Sequence, residues 1–185
     1  MSSTLIIIRG VPGSGKSYLA RALEMSLGED NVVILDPDAI DEAADNYRIF
    51  SQKLTDDGVD EKFHPFRFLR KTGQDGILAG KIVIWNQAFN DFNGFEITVN
   101  RLQEFAIEHN SKLRILVVEV EIDQDSAWSR IVERASHGGH NVPKENLERF
   151  VSNYESFAGR GFDTVTVNGT DDVSESVNKI TTALA

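Results

Sequence analysis

The chain has 185 residues and a formal net charge of −10, from 19 Lys and Arg against 29 Asp and Glu. The acidic balance argues against a protein whose whole surface docks on nucleic acid or on an anionic membrane. Absence of cysteine excludes disulfides and thiolate metal sites, and no apolar run is long enough for a membrane span. With ordinary hydrophobic content, 41%, this length predicts a cytoplasmic protein with one domain, residues 1–185.

Strand-like and helical patterns alternate along the chain. Runs rich in β-branched residues predict five strands, at 5–8, 32–35, 82–85, 113–118 and 163–167. Between and after them, three apolar stripes at helical spacing are interpreted as core-facing: Val99, Leu102 and Ala106; Leu147, Phe150, Val151 and Tyr154; and Val173, Val177, Ile180 and Leu184. This alternation predicts an α/β fold with a five-stranded, mainly parallel sheet.

Residues 10–17 match G-x-x-x-x-G-K-[ST] between the first strand and a helix. In this pattern glycines let backbone N–H groups surround a phosphate, and the helix N-terminus favours the same anion. Lys16 reaches the β- and γ-phosphates, and the Ser17 hydroxyl ligates Mg²⁺. Binding of a nucleoside triphosphate with Mg²⁺ is therefore predicted. The nucleotide contacts predicted here are Gly10, Pro12, Gly13, Ser14, Gly15, Lys16, Ser17 and Tyr18.

Other patterns bear on what is done with the phosphate. The chain has no guanine-reading Asn-Lys-x-Asp, and the D-x-x-G match at 91–94 lies several residues past the third strand. The third strand runs into Asn86 instead of the acidic residue that a motor or switch uses to hold Mg²⁺. Small-molecule kinases do without that acid, but they need a carboxylate beside the acceptor hydroxyl and cations over the moving phosphate.

Both requirements are met. Asp36 and Asp38 follow the second strand, where one carboxylate can assist Mg²⁺ and the other can take the acceptor's proton; a solvated capping pair is the alternative. Arg130 and Arg134 lie one helical turn apart before a glycine-rich stretch. They suit a small helical lid, about 125–143, that closes over the triphosphate, although they also suit an ordinary exposed helix.

Together, G-V-P-G-S-G-K-S at 10–17, Asp36-Pro37-Asp38 and the segment from Arg130 through G-G-H-x-V-P resemble the zeta toxin and polynucleotide kinase-like branch of P-loop kinases. The resemblance spans essentially the whole chain. It implies a three-layer P-loop NTPase fold with a helical lid and ATP with Mg²⁺ as cofactors.

The resemblance also implies roles for individual residues. Lys16 and Ser17 bind the ATP phosphates and Mg²⁺, and Asp38 is the general base. From its place after the second strand, Asp36 is predicted to hold Mg²⁺ together with Ser17. Arg130 and Arg134 stabilise charge during transfer. Three residues after the fifth strand, Asn168, Gly169 and Thr170, lie where related kinases contact adenine.

Two positions depart from the family pattern. Asp41 stands where polynucleotide kinases carry an arginine, and Trp85-Asn86-Gln87 stands where zeta-type kinases place an acid. Asn86 and Gln87 either hydrogen-bond a hydroxylated acceptor or tie down the neighbouring loop. The expected activity is transfer of the γ-phosphate of Mg·ATP to a hydroxyl of a small molecule, a sugar nucleotide or a polynucleotide end.

Two other functions stay open. Residues 62–71 mix aromatic and basic side chains, which suits a groove for single-stranded nucleic acid; a buried helical face containing Phe66 and Leu69 is the preferred interpretation. The second alternative is an ATP-binding switch or adaptor that acts through a protein partner, and the absent acid after the third strand counts against it.

Overall fold

A computed structural model describes residues 2–138 and 142–185. Its strands are Ser2–Arg9 (β1), Val32–Leu35 (β2), Ile82–Asn86 (β3), Lys112–Glu121 (β4) and Asp163–Asn168 (β5). Its α-helices are Lys16–Leu27 (α1), Asp45–Asp56 (α2), His64–Leu78 (α3), Phe92–Glu108 (α4), Gln124–Ser136 (α5), Lys144–Ser152 (α6) and Val173–Leu184 (α7). All five predicted strands are therefore present.

The five strands form one parallel sheet in the order β2-β3-β1-β4-β5. Their near-continuous apolar character follows from burial of both faces, as the sequence pattern indicates. β4 is longer than the predicted 113–118 because its charged residues continue the ladder; Glu119, for example, pairs in register with Arg9. The α/β fold of the P-loop class is confirmed.

Helices cover both faces of the sheet. α1 and α7 pack on one face around Ile6, Ile8 and Leu23, and α3 and α4 pack on the other around Leu5 and Ile7. The predicted core residues Val99, Leu102, Ala106, Val177 and Ile180 are all buried. The sheet edge at the carboxyl ends of the strands is where the phosphate loop begins, between β1 and α1.

Short polar side chains begin several of these helices. Asp91 accepts hydrogen bonds from the backbone N–H groups of Asn93 and Gly94 at the start of α4. Asp172 caps α7 through the N–H of Ser174. Each cap is worth about 1 kcal/mol. The D-x-x-G match at 91–94 is thus accounted for by a helix cap.

A smaller apolar cluster joins α5 and α6 to the phosphate loop. Ala127 and Ile131 of α5 and Leu147 of α6 are buried together with Val11. Phe150, Val151 and Tyr154 pack against this cluster as predicted, but Tyr154 lies beyond α6, which ends at Ser152. The Tyr154 ring also packs under the Arg9 guanidinium, 4.2 Å from its centre. Gly139, His140 and Asn141 of the predicted lid lie outside the described residues.

The basic and aromatic segment 62–71 forms the start of α3. Leu69 is buried as predicted, but Phe66 is 46% exposed, so placing Phe66 on the buried face is wrong. The reason is that α2 packs on Phe68 instead, through the rings of Tyr47 and Phe50. Among the described residues, no helix is both long and apolar enough to cross a membrane.

Candidate active site

The phosphate loop is packed tightly against neighbouring backbone. Gly13 has a φ of +81°, and a Cβ there would lie 2.5 Å from the carbonyl oxygen of Ala127 in α5. At Gly10 a Cβ would lie 2.6 Å from the carbonyl oxygen of Val120 in β4. These glycines are therefore required by the loop's own packing as well as by the approach of a phosphate.

Lys16 lies near the carboxylates of Asp36 and Asp38 and near the Arg134 guanidinium. Its Nζ donates a hydrogen bond to the carbonyl oxygen of Val11 at 3.0 Å. Burial lowers the pKa of Lys16 to about 8, while the nearby carboxylates of Asp36 and Asp38 oppose the shift and Arg134 adds to it. The lysine therefore carries a poorly solvated positive charge, which an incoming phosphate would stabilise.

Ser17, Asp36 and Asn86 form a hydrogen-bonded triangle beside Lys16. The Asn86 amide donates to Asp36 Oδ2 at 2.6 Å and to Ser17 Oγ at 2.9 Å, and Ser17 Oγ lies 3.3 Å from Asp36 Oδ2. Since a carboxylate can only accept, the Asn86 NH₂ group must face Asp36. The Asn86 Oδ1 atom is then buried without a partner among the described residues.

This triangle fits a magnesium ion. Hydroxyl and carboxylate oxygens are hard ligands, and Mg²⁺ in kinases commonly uses one or two carboxylates together with substrate phosphates and waters. The described residues contain no group of three or more His, Cys, Asp or Glu that could hold a metal by itself. Ser17 and Asp36 therefore suit an ion that arrives with a nucleotide, and the unpartnered Asn86 oxygen offers a further polar contact there.

Asp36 and Asp38 have different environments. Asp36 Oδ1 accepts from the backbone N–H of Asp38 at 3.0 Å and so caps the 3₁₀ turn Pro37–Ala39. The capping role therefore falls to Asp36. Asp38 is exposed, and its carboxylate accepts no hydrogen bond from the described residues. It is available to a molecule that binds beside Lys16.

Arg130 joins α5 to the phosphate loop and to the turn that follows β5. One guanidinium nitrogen donates to the carbonyl oxygen of Gly169 at 2.8 Å, and another to that of Ser14 at 3.4 Å. A Cβ at Gly169 would overlap the Ser14 carbonyl. Beyond it, Asn168 Oδ1 accepts from both the N–H and the hydroxyl of Thr170, which closes the turn after β5.

Two cavities of about 540 Å³ each flank the phosphate loop. The β2-side cavity starts at Ser17 and Asp36 and lies along β2. The β5-side cavity includes Val11, Asn168 and Thr170. Asn86 and Gln87 are on the wall of neither, and the Gln87 side chain accepts a hydrogen bond from Trp85 Nε1 at 3.0 Å.

The sequence model of the family described as Zeta toxin matches residues 2–179. The chain belongs to the zeta toxin family. The resemblance drawn from the motifs is thereby confirmed, and the enzyme class is that of a P-loop phosphotransferase. A search of curated proteins finds no significant match.

Solved structures share the fold of this zeta toxin family member at low sequence identity. A protein from Chloroflexus aurantiacus j-10-fl, whose kinase assignment is itself provisional, is 20% identical with a TM-score of 0.72, and all of both chains is covered. A gluconokinase from Sinorhizobium meliloti 1021 is 17% identical with a TM-score of 0.58, covering 98% of this chain and 91% of that one. Deoxyadenosine kinase from M. mycoides with bound dATP is 18% identical with a TM-score of 0.58, covering 97% of this chain and 98% of that one.

A buried ion pair in this family member escaped sequence reasoning. Arg9, the last residue of β1, and Glu119 of β4 are both buried, with Arg9 donating to Glu119 Oε1 at 2.5 Å. Arg9 also donates to the carbonyl oxygens of Phe89, at 2.8 and 3.1 Å, and of Glu155, at 2.7 Å. The pair therefore fixes the start of the phosphate loop to two other loops. The available signal was a charged residue directly after the apolar run of each strand, 5–8 in β1 and 115–118 in β4.

Proposed function

We propose that the protein transfers the γ-phosphate of Mg·ATP to a hydroxyl group of an acceptor. The expected acceptors are a small molecule, a sugar nucleotide or a polynucleotide end. The observation that carries the proposal is the convergence of Lys16, Ser17, Asp36, Asp38 and Arg134 at one edge of the sheet. The convergence supplies cations for the triphosphate, oxygen ligands for Mg²⁺ and an unengaged carboxylate.

The cofactor lies along the phosphate loop in this proposal. Backbone N–H groups of the loop and the Lys16 ammonium hold the phosphates, with Pro12 and Tyr18 at its ends, and the nucleoside extends toward Asn168 and Thr170. Ser17 and Asp36 hold Mg²⁺, which neutralises charge on the β- and γ-phosphates when bound. Asn86 keeps Asp36 and Ser17 in position, because its amide donates to both.

Transfer needs the acceptor oxygen in line with the γ-phosphate. Asp38 aligns the acceptor hydroxyl and takes its proton as the new P–O bond forms, while the bond between the γ-phosphorus and the bridging oxygen breaks and ADP leaves. Arg134 lies close enough to influence Lys16 and can neutralise the transferring phosphate, with Arg130 supporting the loop. In the proposal the whole chain acts as one domain, and residues 125–143 close as a lid.

The Asp38→Asn variant tests this assignment. We expect nucleotide affinity within about threefold of wild type, and transfer slower by about 10² or more, because a positioned base contributes that much. Both are measured with γ-labelled ATP and a pool of metabolites, sugar nucleotides and 5′-hydroxyl oligonucleotides. Asp57→Asn, an exposed position at the end of α2, is the matched control.

Either of two results would refute the proposal. Transfer at the wild-type rate by the Asp38 variant would remove the base assignment. Label released only as inorganic phosphate, at equal rates in both proteins, would favour an ATP-hydrolysing switch that acts through a protein partner.

A further inference from the structure

The β2-side cavity opens directly from the residues proposed to hold the metal ion. It starts at Ser17 and Asp36 and continues between α1 and α3, under the loop that follows β2. A molecule that fills it can present a hydroxyl near Asp38, which flanks the same metal-holding pair. Under the proposed function, the cavity is therefore the binding site of the acceptor.

Carboxylates dominate the charge on this cavity wall. Glu24, Glu29, Asp36 and Asp41 lie on it against a single cation, Arg21, which leaves an excess of three negative charges. Two remain in excess when Asp36 is engaged with Mg²⁺. None of these five side chains forms an ion pair within the part of the chain that the structure describes. In the described ranges, no ion pair therefore offsets the excess negative charge of the wall.

The rest of the cavity wall is largely apolar. Ile34 and Leu35 of β2, Ile40 of the following loop, and Phe68 and Leu69 of α3 all line it. Such a wall favours a ligand that carries an apolar portion as well as its hydroxyl.

The basic side chains of this region lie elsewhere. Arg67 and Arg70 of α3 are not on the cavity wall. Burial lowers the pKa of Arg70, and the charges of Arg101 in α4 and of Arg67 lower it further. These three arginines therefore lie close together where α3 faces α4. The nearby lysines are already paired, Lys62 with Asp60 and Lys71 with Asp75. Arg21 is the one cation on the cavity wall among the residues that the structure describes, and Lys16 lies only at the Asp36 end, where the phosphates of the nucleotide would be held.

We infer that the acceptor is a hydroxyl compound without phosphate or carboxylate groups, either uncharged or cationic, with an apolar portion that packs against Phe68 and Leu69. The inference rests on the proposed function and narrows it, since sugar nucleotides and polynucleotide ends are anionic. The excess negative charge of the wall repels an anionic acceptor and attracts a cationic one, and the effect is strongest at low ionic strength because Glu29 and Asp41 are exposed.

Because the chain contains no cysteine, a single introduced thiol can report the charge of the cavity directly. Ala44→Cys places it on the wall, Thr72→Cys gives a second wall position, and Ile107→Cys gives an exposed control on α4. The measurement compares rates of modification by a trimethylammonium and a sulfonate methanethiosulfonate at low ionic strength. We expect the cation-to-anion rate ratio at either wall position to exceed that at position 107 by about tenfold.

Charge reversal on the wall sharpens this measurement. Glu24→Lys in the Ala44→Cys background is expected to lower the ratio toward the control value, whereas Glu108→Lys, exposed at the end of α4, leaves it unchanged. A ratio at both wall positions equal to or below that at position 107 would overturn the inference.

The acceptor preference is measured separately with matched compounds: glucosamine, glucose, gluconate and glucose 6-phosphate, and uridine against its monophosphate. We expect the uncharged or cationic member of each set to receive labelled phosphate with a kcat/KM at least about tenfold above its anionic counterpart. A preference for the anionic members contradicts the inference. No labelled product from any compound counts against the proposed kinase function alone, because the modification rates report the cavity's charge with or without transfer.

Discussion

The two sides of the phosphate loop are built in different ways. On the β5 side Arg130 hydrogen-bonds to the backbone of Ser14 and Gly169, and Gly169 packs directly on the loop. On the β2 side Asp38 and Asp41 stand exposed on a short connecting loop whose main local tie is the Asp36 cap. In the proposed function the β5 side thus fixes the part that would hold the nucleotide, whereas the β2 side can vary with the acceptor. Family membership therefore says more about the nucleotide than about the acceptor.

The largest effect is expected at the lysine between the two sides. Lys16→Met should lower transfer by about 10³ or more, since it removes the charge that meets the phosphates. The same variant should be more stable than wild type at pH 7. Burial lowers the pKa of Lys16 to about 8, so its charged form is disfavoured on folding, and this cost fades as pH rises from about 8 toward the unfolded value.

Steady-state turnover and urea unfolding at pH 7 measure both properties of the Lys16 variant. Lys53→Met, exposed on α2, is the control. Retained turnover would remove Lys16 from the active site, and a loss of stability would show that its role in the fold outweighs its desolvation.

Below both sides of the loop lies the buried Arg9–Glu119 pair. Glu119→Gln leaves the Arg9 charge buried without its counter-charge, and breaking such a pair costs about 3–5 kcal/mol of unfolding free energy. Replacing both residues, Arg9→Met with Glu119→Leu, should recover part of that loss. Chemical denaturation of the wild type, the Glu119→Gln variant and the double variant measures the free energy of unfolding of each. A cost below about 1 kcal/mol for Glu119→Gln would mean that the pair does not hold the loop in place.

The β5 side alone is tested at Gly169. Gly169→Ala inserts a methyl group against the Ser14 carbonyl, so the loop must shift, and ATP affinity should fall by about tenfold, the equivalent of roughly 1.4 kcal/mol. Gly94→Ala is the control, because the atom nearest to its added methyl group, at 3.0 Å, is the end of the Asp91 side chain and not backbone. Unchanged affinity in isothermal titration calorimetry of the Gly169 variant would show that this side is more adaptable than its contacts indicate.

An effect of similar size is expected in the pH dependence of nucleotide binding. Lys16 binds phosphate as the ammonium, and its pKa in the free protein is about 8, so ATP affinity should fall as pH rises above that value. At pH 9 the loss should be about tenfold relative to pH 7, if the neutral lysine binds poorly. The Lys16→Met variant should show a flat profile over the same range, whereas a flat wild-type profile would contradict the assigned pKa.

The motifs and strands were predictable because they are local patterns. Gly10 to Ser17 follows β1 directly, and continuous apolar runs mark strands covered on both faces. The Arg9–Glu119 pair joins residues 110 positions apart, and its partners are set by strand order, which no local pattern encodes. Contact of Asn86 with Asp36 likewise depends on β2 lying beside β3.

One prediction went wrong in part and another in full, because several placements satisfied the same pattern. Tyr154 packs with the α6 cluster as predicted, but it lies beyond the end of the helix, under the Arg9 guanidinium. Phe66 and Leu69 share a helix face by spacing, yet only Leu69 is buried. The acceptor class that we infer rests on the charge of a cavity formed by β2, α1 and α3, and the sequence does not show which charged residues meet there until these elements are placed together.

The most direct test of the central claim follows the fate of the γ-phosphate. The protein is incubated with Mg·ATP and a metabolite extract, and the products are compared by mass spectrometry with those of the Lys16→Met variant. We predict a hydroxyl compound heavier by one phosphoryl group, formed together with ADP only by the wild type. ADP and inorganic phosphate without any phosphorylated compound would contradict the claim that this protein is a kinase.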